Sequence, residues 1–196
     1  MPDAGIDRRS NLPRIPLFPT DDMTGEQRRV YDSMISGPRG VIVGPFRAAL
    51  HNPELADQWQ QFGALLRFGT SLPKRLSELV ILTTGRFWDC QVEWFSHEPA
   101  ARKSGLPDEV IDAIKIDRRP VFANADEEAV YDYCLDLCKT HRVSEHHYQR
   151  ALALFGVQGI VELTALIGYY SMVVMTLNAH DIPVPPGATP PLAPRI

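Results

Sequence analysis

Between Glu78 and His97 the chain is apolar on nearly every side of a helical wheel, and four of its ionisable residues fall in one row. At about 100° per residue, Arg86, Cys90, Glu93 and His97 lie within about 60° of one another. Leu79 and Leu82 share that stripe, and Ile81, Trp88 and Phe95 face the other way. Such a helix is expected to be buried. Four ionisable groups in its row are costly there unless they are paired, hydrated or used.

The remaining pattern predicts further helices and no strands. Thr24 caps a helix through Glu26 to Ser36, ended by Gly37-Pro38-Arg39-Gly40. A short helix is expected over 45–52, and the next starts at Pro53 and closes at Gly69. Ser71-Leu72-Pro73 opens the helix with the charged row. Glu98-Pro99 is expected to interrupt it, with a short continuation to Gly105. Further helices follow over 106–114, from an Asp126 cap to His141, and from a Ser144 cap to Gly156, and a long one runs from about Gln158 to Asn178. No segment alternates with period two. Residues 1–22 read as a Pro-rich arm, 23–182 as one all-α domain and 183–196 as a Pro-rich tail.

Composition narrows the class. With 196 residues and 44% apolar content, one domain can bury a sizeable core. Twenty basic and 24 acidic residues form no basic patch, so nucleic acid is not an expected partner. Three cysteines and an N-terminal stretch without an apolar segment predict a reduced, cytoplasmic setting. The 17 uncharged residues over 163–179 include Thr, Ser, Tyr and Asn, and are expected to form a core helix rather than a membrane span.

Glu93 and His97 are four apart, so they share a helix face, as an acid–base pair requires. Arg86 has two readings: a fork that grips a substrate carboxylate, or an ion pair with Asp89 or Glu93. Glu78 cannot reach His97 along a straight helix. It approaches only if the helix breaks, as near Thr83-Thr84-Gly85-Arg86, or if the two lie on neighbouring helices; otherwise it pairs with Lys74 or Arg75. Cys90 lacks a redox partner because position 93 is Glu, and inert packing is its expected role, as it is for Cys134 and Cys138. The histidines match no common metal spacing. Glu162 precedes His180 by 18 residues, much as Glu78 precedes His97 by 19, a loose internal echo of the kind a pseudo-two-fold repeat would leave.

Trp88, Gln91, Glu93, Trp94, His97 and Ala101 spell the pattern WxxQxEWxxHxxxA, through which the chain resembles the carboxymuconolactone decarboxylase family, related to the alkylhydroperoxidase D family. The resemblance implies an all-α, alkylhydroperoxidase D-like helical bundle that assembles as a dimer, trimer or hexamer. In the hydroperoxidase branch the site is a Glu, a CxxC pair and a His. These fall on Glu78, on Cys90 with Glu93 in the second Cys position, and on His97. The decarboxylase branch dispenses with the thiols. It implies a cofactor-free lyase acting on a small carboxylated lactone or related acid. His97 would then transfer the proton, Glu93 would orient it, Arg86 would hold a carboxylate, Cys90 would pack beside the substrate, and Trp88, Trp94 and Phe95 would form an apolar wall. The alternatives are a thiol-dependent antioxidant protein and a non-catalytic helical oligomer.

Overall fold

Leu76 through Arg86 are all buried, so the central apolar stretch is the axis around which the other elements pack. The computed structural model describes residues 12–37, 40–42 and 44–193. Within these, the chain forms eight helices and no strand: α1 Gly25–Ser36, α2 Gly44–Ala49, α3 Pro53–Phe68, α4 Lys74–Phe87, α5 Gln91–Lys103, α6 Asp108–Lys115, α7 Ala125–Thr140 and α8 Glu145–Ala179. Residues 1–11 of the expected arm, Pro38-Arg39 of the expected turn and the last three residues of the tail lie outside the described residues.

α4 packs against α5, α7 and α8, and α7 against α8. Leu76, Leu79, Val80 and Leu82 meet Val130 and Cys134 of α7 and Leu163, Leu166 and Val174 of α8 in one core. Each such side chain contributes about 1.5–3 kcal/mol on burial. Together these outweigh the few kcal/mol that burying Glu78, Thr83, Thr84 and Arg86 on the same helix costs.

Local chemistry sets most helix ends. The Thr24 hydroxyl accepts the Gln27 N–H at 3.3 Å, and the Gln27 side chain accepts the Thr24 N–H at 2.9 Å. Asn52 caps α3, and Gly69 closes it. Ser144 caps α8, and Gly156 (φ 65°) kinks it where two helices were expected. At α7 the expectation fails. Asn124, not Asp126, is the flanking residue, because Asp126 is held by the Arg75 fork at 2.8 Å.

The largest correction concerns the charged row. The predicted single helix is two helices, and the break lies at Trp88–Cys90 rather than at Glu98-Pro99. Asp89 takes a left-handed conformation (φ 51°). The Asp89 N–H donates to the Arg86 carbonyl at 3.1 Å, and the Cys90 N–H donates to the Gly85 carbonyl at 2.8 Å. These are the paired bonds of a Schellman helix end, built on Asp instead of Gly. α5 runs through Pro99. Phe95 and Pro99 are both exposed, so the carbonyl that the proline leaves without a donor lies on the solvent-facing side of the helix.

The arm and tail fold onto their own chain. The Arg14 N–H donates to the His180 carbonyl, and the Phe18 N–H to the Arg47 carbonyl. The Gln91 side chain donates to the Leu192 carbonyl at 2.9 Å and accepts its N–H at 2.8 Å, fixing the tail over the start of α5.

Candidate active site

The turn at Trp88–Cys90 folds α5 back along α4 and brings Glu78 to His97. Glu78 is 1% exposed and His97 is 6% exposed. His97 Nδ1 lies 2.7 Å from Glu78 Oε2, and His97 Nε2 lies 3.2 Å from Glu93 Oε1. The other Glu78 oxygen faces Lys74 Nζ at 3.8 Å, so both readings of Glu78 hold at once. Arg75 instead binds Asp126 and Glu127. A neutral imidazole has one N–H. With Glu78 on Nδ1, the ring presents Nε2 to Glu93.

Glu93 and His97 line a cavity of about 280 Å³ together with Phe46, Arg67, Val92 and Tyr170, among others. Its walls come from α2, α3, α5 and α8. Tyr170 meets the His97 ring edge-on at 5.5 Å between centroids. Burial pushes the Tyr170 phenol well above its ordinary value, and the Glu93 charge adds to this, so the phenol stays protonated. Arg67 is the only arginine or lysine among the described lining residues, and its buried Nε has no hydrogen-bond partner.

The remaining predicted residues lie elsewhere. Arg86 is buried but faces a second cavity, where it pairs with Asp89. The helix break rotates it out of the row. Trp88 ends α4 and stacks edge-on against Phe87. Trp94 is 0% exposed and donates its indole N–H to Glu98 at 2.7 Å, one helical step from Glu93 and turned into the core. Phe95 is 38% exposed. The apolar wall is therefore made by Phe46, Val92, Val173 and Tyr170. Cys90 is buried at the head of α5 and is not among the lining residues. Burial, with the Glu93 charge second, pushes its thiol up to about 12. Among the described residues no group of three His, Cys, Asp or Glu side chains is placed to hold a metal ion.

Arg67 and Tyr170 escaped sequence reasoning. Arg67 is one cation at the end of an amphipathic helix, and Tyr170 one aromatic in an apolar run. Only tertiary packing singles them out. The Glu162–His180 echo does not form a second site. Glu162 accepts the Ser71 N–H at 2.8 Å and the Ser71 hydroxyl at 2.6 Å, whereas His180 sits at the far end of α8.

A buried Glu–His–Glu chain in an all-helical bundle of alkylhydroperoxidase D-like architecture defines the class. Residues 53–133 match the carboxymuconolactone decarboxylase family, and this segment contains Glu78, Cys90, Glu93 and His97. Three solved structures share the fold. An uncharacterized peroxidase-related protein from Silicibacter sp. is 14% identical, with a TM-score of 0.73 over 90% of this chain and 94% of its own. An uncharacterized peroxidase-related protein with an alkylhydroperoxidase AhpD core, from Ralstonia eutropha, is 16% identical, with a TM-score of 0.72 over 89% and 93%. A protein of unknown function from Agrobacterium tumefaciens, named for AhpD-type antioxidant defence, is 18% identical, with a TM-score of 0.63 over 70% and 95%. No curated protein matches the sequence significantly.

Proposed function

We propose that the His97 cavity is the active site of a cofactor-free enzyme that transfers a proton on a small carboxylated substrate, with decarboxylation of a carboxylated lactone as the reaction. The observation that carries this reading is the Glu78–His97–Glu93 chain in the wall of a cavity that also presents Arg67. Glu78 fixes the tautomer of His97. His97 and Glu93 hold between them the proton that is delivered. Arg67 binds the anionic group of the substrate, the role read from sequence for Arg86. In the reaction the bond from ring carbon to carboxylate breaks and CO2 leaves. Its electron pair passes into the conjugated lactone carbonyl, and the ring takes the proton from the His97–Glu93 pair. Solvent restores that proton.

A thiol-dependent hydroperoxide reductase is the second reading, favoured by the names of the structural neighbours. A peroxidase needs an attacking thiolate and a resolving thiol. Cys90 is held protonated by burial, and the second position is Glu93. Purified protein given a panel of carboxylated lactones without thiol, and separately a hydroperoxide with a dithiol, separates the two. Turnover of a lactone without thiol is expected. Hydroperoxide reduction with no lactone turnover would replace this reading with the second.

A further inference from the structure

A second cavity, of about 330 Å³, opens where the α6–α7 connection crosses α4 and α7. Four cations line it, Arg86, Arg118, Arg119 and Lys139, against one carboxylate, Asp117. Part of that charge is answered. Arg119 is bound by Asp132 and Glu128, and Arg86 by Asp89. Arg118 and Lys139 make no ion pair or side-chain hydrogen bond among the described residues, and both are exposed at the cavity. Thr83 also lines it. That residue is 2% exposed, and its hydroxyl is buried without a hydrogen-bond partner. An orphaned buried hydroxyl costs free energy unless a ligand or water meets it. A concave space of this size, whose rim carries two cations outside any ion pair among the described residues beside the single carboxylate Asp117, and whose wall holds a hydroxyl without a partner, suits a small anion.

We infer that this cavity binds a small organic anion through its carboxylate or phosphate group, with Arg118 and Lys139 as the charge-bearing contacts and Thr83 as a neutral hydrogen-bonding one. The site is separate from the His97 cavity and has no lining residue in common with it, so the inference stands whatever reaction occurs at His97. Guanidinium and ammonium groups suit this ligand because charge-assisted hydrogen bonds to oxyanions are about twice as strong as neutral ones.

The test is thermal unfolding and calorimetric titration of the full chain with succinate and, separately, inorganic phosphate, at constant ionic strength up to ~50 mM ligand. A saturable rise in Tm is expected with at least one of them, and which one distinguishes a carboxylate from a phosphate ligand. Arg118→Gln and Lys139→Gln sit at exposed positions and should fold normally, and each should weaken binding roughly tenfold. Thr83→Val, of similar shape, should weaken it less. Arg67→Gln, in the His97 cavity, should leave it unchanged. Two results would overturn the inference. One is the absence of saturable binding of either anion. The other is binding that survives the Arg118→Gln/Lys139→Gln double variant but is lost in Arg67→Gln, which would place the anion at His97.

Discussion

At the scale of single residues, the site depends on burial with partners. His97 would be a costly buried base if Glu78 and Glu93 did not meet its two nitrogens. Glu93 and His97 were legible from their spacing alone, because neighbours four apart share a helix face whatever the tertiary fold. Glu78 was legible only as a condition, since its approach needed a break whose position the residues did not advertise. Beneath the site, Glu98 anchors α5 to α6. Burial alone would raise its carboxyl, but hydrogen bonds from Arg102, Lys115 and the Trp94 indole outweigh this and hold it below its ordinary value. A carboxylate lowered by folding adds stability that is fully present above its unfolded value, about 4.3, and is lost as the pH falls through the folded value. Glu98→Gln should therefore lower stability by about 1–2 kcal/mol at neutral pH. The difference from the wild type should close as the pH drops below about 4. Chemical denaturation across that pH series checks it, and a gap that widened in acid would refute the assignment.

At the scale of elements, the turn between α4 and α5 makes the site. Helix ends written in Thr, Asn, Ser, Pro and Gly were readable because capping is local chemistry. This end was not, because Asp stands where a Schellman turn usually has Gly, and because Pro99 offered a more conspicuous but incorrect break. Asp at a left-handed position is tolerated, and a β-branched residue is not. Asp89→Gly should leave the fold intact. Both variants lose the Arg86 pair, and Asp89→Val should cost about 1–2 kcal/mol more than Asp89→Gly from backbone strain. It should also reduce activity more than Asp89→Gly by loosening the Glu78–His97 contact. Equal stability of the two variants would show that the turn does not impose this conformation.

At the scale of the whole molecule, the 163–179 stretch of α8 joins the core as expected from sequence, but α8 as a whole leaves apolar surface open. It is long and apolar enough to cross a membrane by length and composition, and about a third of its most apolar stretch is buried. Val157 (70% exposed) and Val161 (61%) on α8, with Leu65 and Phe68 on the adjoining α3, leave apolar surface uncovered. The expected cover is another copy of this chain, since a contiguous exposed apolar patch marks an interface. Light scattering at micromolar concentration should give a multiple of the monomer mass, and Val157→Lys with Val161→Lys should shift it toward the monomer. A wild-type monomer, or a protein that disperses only with detergent, would contradict this. Turnover of a carboxylated lactone by the assembled protein, without added thiol, tests the Glu78–His97–Glu93 chain most directly when His97→Gln and Cys90→Ala are compared with the wild type. His97→Gln should lose about 10²–10⁴-fold in kcat while remaining folded, and Cys90→Ala should stay near the wild-type rate. Loss of activity in Cys90→Ala with full turnover in His97→Gln would contradict the proton-transfer site and point to the thiol.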